Sequence, residues 1–232
     1  MLEHYIAASR RCGIVKLLIL TLGFDEKFAV RALLRAGLSF GDKAVIFLAE
    51  PLDERAVKAW RTVEDIVSRY FSGVNVETIK VNVSEFYRAV STIAEKLREA
   101  FRGADEIIIN LSGGMRILIL EVLVAAHLLG LKATVEVEFE NFLGLAKFPL
   151  ELLRTQLDNK EKLILRYIVS KGQTTITNIA KDLEISKTTA HRKTWKLAKQ
   201  GLLKMERKGR TVKCKPTEQA KLLATIAELT RK

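Results

Sequence analysis

The sequence predicts an α/β chain: a Rossmann-like, mostly parallel sheet covered by helices on both faces, followed by a C-terminal winged helix-turn-helix domain. Three observations predict it. Five apolar, β-rich runs start about thirty residues apart, the length of one βα unit. Helical periodicity fills the intervals between them. The excess positive charge is confined to the last third: residues 158–232 carry 19 Lys and Arg against 7 Asp and Glu, while residues 1–157 carry 20 of each. The whole net charge of +12 therefore belongs to one segment, and that segment is the expected contact for a polyanion. A chain of 232 residues divided in this way suits two domains, 1–152 and 153–232.

The β-rich runs are Lys16–Leu22, Ala44–Ala49, Val74–Val83, Glu106–Leu111 and Ala133–Phe139. The helical segments between them end at Gly37, Gly73, Gly103 and Gly130, each placed as a left-handed stop. A βαβαβαβαβ order makes a parallel sheet, because each crossover returns a helix onto one face. Leu17-Leu18-Ile19-Leu20 and Ile107-Ile108-Ile109 are continuous apolar runs, as strands buried on both sides require. Asn141–Leu150 reads as an edge strand returning through a hairpin around Gly144, with Pro149 at its end.

Ligands of such sheets bind beyond the carboxyl ends of the strands where strand order reverses, which in a 3-2-1-4-5 order lies between strands one and four. The loops that follow those strands supply the candidate ligand contacts. These are Thr21, Gly23, Phe24 and Asp25 from the first loop, and Ser112, Gly113, Gly114, Met115 and Arg116 from the second. Two glycines at a strand-to-helix turn can expose successive N–H groups, the helix N-terminus adds a positive dipole end, and Arg116 adds a forked cation suited to phosphate. The motif alone also fits a tight turn whose glycines relieve steric strain, with Arg116 solvated. Neither G-x-G-x-x-G nor G-x-x-x-x-G-K-[ST] occurs, which argues against ordinary dinucleotide or nucleoside triphosphate binding.

In the basic segment Asp158 is placed to cap a helix reaching about Ser170, and Thr177 to cap a short helix. Ser186, after the Glu184-Ile185 turn, caps a third helix that stops at Gly201. Leu202–Glu206 and Thr211–Lys215 alternate around the basic tip Arg207-Lys208-Gly209-Arg210, which is a wing. On the third helix, spacing turns Ala190, Thr194 and Leu197 inward and Lys187, Thr188, Thr189, Arg192, Lys193 and Lys196 outward. Early outward residues reach base edges, Arg192 suiting a guanine, while Lys196, Lys199, Lys208 and Arg210 suit phosphates. His191 and Trp195 read as packing or edge residues. In the last helix Leu222, Leu223, Ile226 and Leu229 form an apolar stripe, read first as core packing and alternatively as a dimer seam.

Two cysteines, Cys12 and Cys214, and three histidines, His4, His127 and His191, are scattered without ligand spacing, so no metal, cofactor or disulfide is expected. The longest apolar stretch, Ile117 to Leu131, is broken by Glu121 and His127, and no secretory pattern opens the chain. A cytoplasmic protein without a membrane partner is the expectation.

Thr21-Leu22-Gly23-Phe24 after the first strand and Ser112-Gly113-Gly114-Met115-Arg116 after the fourth, followed by a winged helix, give the chain a resemblance. It resembles the archaeal CRISPR-associated transcriptional regulators whose sensory part is the CRISPR-associated Rossmann-fold (CARF) domain. The resemblance runs from about Val15 to the C-terminus. It implies a homodimer that binds a cyclic oligoadenylate, with cyclic tetraadenylate the expected ring, over its two-fold axis, and that binds double-stranded DNA. Gly23, Phe24, Ser112, Gly113, Gly114 and Arg116 would line the pocket. A ring-cleaving phosphodiesterase using Ser112 and Arg116 is the enzymatic alternative, but no general base accompanies them, so a non-enzyme is expected. A nicotinamide-redox sensor is the third alternative, opposed by the missing dinucleotide fingerprint. Residues 1–13 have no assigned role.

Overall fold

The computed structural model describes residues 13–209 and 211–230. The chain divides into two compact units between Arg154 and Thr155.

The first unit runs β1 (Lys16–Leu22), α1 (Glu26–Ala36), β2 (Lys43–Glu50), α2 (Glu54–Tyr70), β3 (Asn75–Asn82), α3 (Phe86–Ala100), β4 (Glu106–Asn110), α4 (Arg116–Leu128), β5 (Thr134–Glu138) and β6 (Leu145–Pro149). A single 3-10 turn, Leu150–Arg154, closes it. The strands form a sheet in the order β3-β2-β1-β4-β5-β6, parallel except for the antiparallel edge strand β6. The chain is therefore Rossmann-like, and strand order reverses between β1 and β4 as expected.

Period-two alternation sorts the β1 side chains onto two cores. Leu17 and Ile19 join Phe47, Ile93, Leu97 and Val122 in one core, whereas Leu18 and Leu20 join Ala29, Leu33, Ile46 and Val63 in the other. Burial on both faces explains why this strand reads as a continuous apolar run. Gly37, Gly73, Gly103 and Gly130 all have positive φ near the helix ends they follow. In the β5–β6 connection the left-handed residue is Phe142, with φ 60°, whereas Gly144 answers a different need. A Cβ there would stand 2.4 Å from the Phe139 ring.

The second unit runs α5 (Asn159–Lys171), β7 (Thr174–Thr175), α6 (Ile176–Asp182), α7 (Lys187–Lys199), β8 (Leu203–Lys208), β9 (Thr211–Pro216) and α8 (Glu218–Leu229). A three-stranded sheet, β7-β9-β8, backs the helices, and Ile164, Leu165, Ile168, Ile179, Leu197, Leu202 and Cys214 form the core. Helix-turn-helix followed by a β8–β9 hairpin is a winged helix. The turn before α7 carries its strain at Glu184, with φ 52°.

The structure departs from the sequence expectation at α6 and α8. The short helix α6 is capped by Thr175 rather than Thr177, because Thr175 is extended and its side-chain oxygen accepts from the Asn178 N–H, leaving Thr177 inside the first turn. The stripe on α8 is not core. Leu222, Ile226 and Leu229 are 48%, 46% and 76% exposed, and the buried face is the small pair Ala220 and Ala224, with Leu223 packed beside it.

Candidate functional site

The two glycine loops of the first unit meet at the β1–β4 reversal. β1 and β4 are in register at Leu20 and Asn110, so the residues beyond both strand ends emerge side by side. A Cβ on Gly23 would stand 2.9 Å from both Cα and N of Gly114, and one on Gly113 would stand 3.2 Å from the Thr21 carbonyl oxygen. Gly114 has φ 103°, a conformation that side chains rarely adopt. The Thr21 hydroxyl donates to the Gly113 carbonyl, so Thr21 is a buried tie between the loops. Close backbone approach thus explains all three glycines.

The remaining candidates differ in what they can offer. Phe24 and Met115 are exposed, 57% and 44%. Met115 precedes α4 with an extended backbone and makes no side-chain cap, so the first N–H groups of α4 lack an N-cap side-chain partner. Arg116, first in that helix, is exposed and forms no ion pair among the described residues. Asp25 caps α1 by accepting from the Lys27 N–H at 2.9 Å. The Ser112 hydroxyl oxygen accepts from the Glu138 N–H at 2.8 Å, which fixes the second loop to the end of β5.

Glu138 belongs to an ionic cluster that sequence reading did not find. Two buried carboxylates of β5, Glu136 and Glu138, meet Arg31 and Arg35 of α1 and Lys147 of β6. Arg31 Nε lies 2.5 Å from Glu138 Oε1 and its guanidinium lies 5.3 Å from the Phe142 ring centre. Burial pushes the Glu136 carboxyl up, but Lys147 and Arg35 outweigh it and hold it below the usual carboxylate range. The only sequence signal was the alternation of Glu136 and Glu138 in a strand whose other face is apolar.

In the second unit the structure separates the predicted DNA contacts of α7 into two sets. Lys187, Thr188, Arg192 and Lys199 are exposed, and Trp195, 39% exposed, stands among them on the outward face of α7. Trp195 Nε1–H donates to His191 Nε2 at 3.0 Å, so these two residues belong to the outward surface rather than to packing. A groove of about 480 Å³ runs between α7 and the wing, lined by Thr175, Thr177, Lys187, Thr188, His191 and Thr211 among others. Thr175, Thr177 and Thr211 were missed because they come together only through the fold.

Lys193 does not face outward, which corrects the expectation. Its side chain is 13% exposed, and its ammonium is bound by Asp158 and by Glu161 Oε1, the latter at 2.9 Å. Lys196 Nζ lies 2.7 Å from the same Glu161 oxygen. Helical spacing turns Lys193 toward α5 rather than away from it, and two carboxylates at the α5 N-terminus meet it there. The Lys193 hydrogen bond pulls the Asp158 carboxyl down to about 2, and the Asp158 and Glu161 contacts raise the Lys193 pKa. Thr189 is half-buried, with its Oγ1 accepting from the Ser186 hydroxyl within the cap. Lys208 lies in the wing strand β8, while Arg210, like His4 and Cys12, lies outside the described residues.

Cys214 is fully buried, and desolvation pushes its thiol up to about 11, so it packs as an unreactive apolar group. Among the described residues no group of side chains could hold a metal ion, and no helix is long and apolar enough to cross a membrane.

The family model of the Csa3 CRISPR-associated Rossmann-like domain matches residues 16–149. No curated protein matches the chain. Among solved structures, the chain is similar to ZitR of Lactococcus lactis, a zinc-responsive MarR family member, at 28% identity over 31% of this chain and 51% of that one, with a TM-score of 0.29. It is similar to the adhesin competence repressor AdcR of Streptococcus pyogenes at 28% identity over 34% of this chain and 61% of that one, with a TM-score of 0.30. A MarR mutant of E. coli complexed with operator DNA aligns at 16% identity over 34% of this chain and 58% of that one, with a TM-score of 0.31. The chain spans between half and two thirds of the length of these structures. The match over residues 16–149 covers more than half of the chain, which therefore belongs to the family of the Csa3 CRISPR-associated Rossmann-like domain.

Proposed function

We propose that this protein is a dimeric, ligand-responsive DNA-binding transcription regulator of CRISPR-Cas genes, whose first unit senses a cyclic oligoadenylate, with cyclic tetraadenylate the expected ring. The observation that carries the reading is the pairing of two distinct anion-facing surfaces in one chain. One is the glycine-lined junction of Gly23 with Gly113 and Gly114, flanked by the exposed Arg116. The other is the outward face of α7 with Lys187, Thr188, Arg192 and Lys199, next to a wing.

At the first surface the backbone amides at the start of α4, its dipole end and the Arg116 guanidinium would receive phosphate groups, and the exposed Phe24 and Met115 offer apolar faces for bases. A ring with two-fold symmetry suits two copies of this junction facing one another across a dimer axis. At the second surface Arg192 and Thr188 would meet base edges in the major groove, with Lys187 and Lys199 positioned for phosphates. Effector binding would then change the relative placement of two recognition helices and hence their match to two half-sites.

Cleavage of the ring would draw on Ser112 and Arg116. In that reaction a ring 2′-hydroxyl would attack its own phosphate, and the Glu138 N–H already directed at the Ser112 hydroxyl oxygen supports a structural role for Ser112 over a catalytic one. Thermal unfolding with linear and cyclic oligoadenylates, using wild type and Arg116→Ala, tests the sensor. A midpoint raised by the cyclic tetramer in wild type only is expected. No shift with any ring would overturn it.

A further inference from the structure

Four ionisable groups meet where the recognition helix crosses the start of α5. The Glu161 side chain is wholly buried and fully engaged: Oε1 receives Lys193 Nζ at 2.9 Å and Lys196 Nζ at 2.7 Å, while Oε2 accepts from the Asp158 N–H at 3.1 Å. Asp158 completes the arrangement by accepting from the Glu161 N–H and from Lys193. Two lysines facing two carboxylates have no net charge, so the cluster adds little to the attraction of a polyanion. Replacing buried ion pairs by apolar contacts of similar volume often leaves stability unchanged or improves it, so what the charged contact adds is geometry.

We propose that Glu161 is a positioning residue for DNA recognition, one that fixes the rotation of α7 about its own axis through Lys193 and Lys196. This rests on the DNA-binding reading above. Lys193 and Lys196 are adjacent on one flank of α7, so a single carboxylate that holds both prevents α7 from rolling on α5. The residues about 100° to 160° around the helix from Lys193 are Thr188, Arg192, Trp195 and Lys199, whose direction that restraint sets. A roll of about 25° would carry side-chain tips ~8 Å from the axis through roughly 3.5 Å, beyond the tolerance of a base-edge hydrogen bond. Shared use of Lys196 extends the effect: its 52% exposed side chain is tethered at the flank of the reading surface instead of ranging over it.

Charge and position predict opposite outcomes. Removing a carboxylate next to a DNA-binding surface strengthens attraction to every duplex, whereas loss of a positioning contact weakens the matched duplex alone. The test uses the full chain with Glu161→Gln, with Lys193→Gln as a second variant that leaves Glu161 bound to Lys196. Glu206→Gln serves as a control that removes an exposed wing carboxylate. Dissociation constants are measured for a duplex selected with the wild-type protein from a random pool and for an unrelated duplex, at several salt concentrations. We expect Glu161→Gln to bind the selected duplex about tenfold or more weakly, with the unrelated duplex bound equally or more tightly. Lys193→Gln should reduce discrimination in the same direction, and Glu206→Gln should strengthen both affinities together. An unchanged or improved ratio of the two affinities in both clamp variants overturns the proposal while leaving DNA binding intact. A wild-type protein with no affinity for any duplex overturns the DNA-binding reading itself. If Glu161→Gln does not fold, Lys193→Gln decides alone, and an unchanged ratio there overturns the proposal.

Discussion

Gly23 and Gly114 lie so close that a Cβ on the first would stand 2.9 Å from two backbone atoms of the second. No side chain fits between the loops, and Gly23→Ala must force them apart or strain the turn. We expect a loss of about 1–3 kcal/mol of stability, read as a lower unfolding midpoint, together with loss of the midpoint rise proposed for a cyclic oligoadenylate. Gly113→Ala, whose new Cβ would lie 3.2 Å from the Thr21 carbonyl oxygen, should be milder. Equal behaviour of Gly23→Ala and wild type in both measurements would show that the close approach has no consequence.

Glu121 lies on α4 with its side chain fully buried and neither carboxylate oxygen hydrogen-bonded among the described residues. Burial raises its pKa from 4.5 to about 7. In the window between those values the folded state holds a proton that the unfolded chain releases, so stability falls as pH rises from about 4.5 to 7 and the penalty is complete above that. Glu121→Leu should therefore raise the unfolding midpoint at pH 8, by the equivalent of roughly 2–3 kcal/mol, and have a smaller effect at pH 5. Calorimetry at the two pH values checks it, and an identical pH response in wild type and variant would contradict it.

Asp158 is held down to about 2, first by Lys193 and then by the capping hydrogen bond. Its folded pKa lies below the unfolded value of 3.8. The stabilisation is present above that unfolded value and is lost as pH falls through about 2. Asp158→Ala should destabilise the second unit by about 1 kcal/mol at pH 7, the usual loss of an N-cap, and should narrow the difference from wild type as pH drops toward 2. Circular dichroism melts of both proteins across that range measure the difference. A gap that widened in acid would contradict the assignment.

The two sets of lysines on α7 should respond differently to salt. Lys199→Ala removes an exposed cation and should reduce the slope of log affinity against log salt by about one. Lys193→Ala removes a cation already neutralised by Asp158 and Glu161, and should leave that slope near the wild-type value. Equal changes of slope would mean that Lys193 leaves its partners to meet phosphate.

Much of this was legible in the sequence because the signals were local. Leu17 to Leu20 and Ile107 to Ile109 announce strands buried on both faces, and Ser186 before a basic helix announces a cap. Glycines that follow strands one and four point to the loops that meet. What was not legible depends on distant partners. Lys193 reads as one basic residue among several until Asp158 and Glu161, more than thirty positions earlier, fold beside it. Glu136 and Glu138 need Arg35 and Arg31, about a hundred positions away, to become a buried cluster. The α8 stripe misled for the opposite reason. Leu222, Ile226 and Leu229 have the right spacing for a core, but Ala220 and Ala224 allow the closer approach and take the buried face.

Ligand occupancy of the Gly23–Gly114 junction is proposed to alter DNA binding by the second unit. Its most direct test is the dissociation constant of a selected duplex, measured by fluorescence anisotropy with and without cyclic tetraadenylate, for wild type and Arg116→Ala. A change of about fivefold or more is expected in wild type, in either direction, and none in the variant. An affinity for the selected duplex that stays the same in wild type at saturating cyclic tetraadenylate would contradict it.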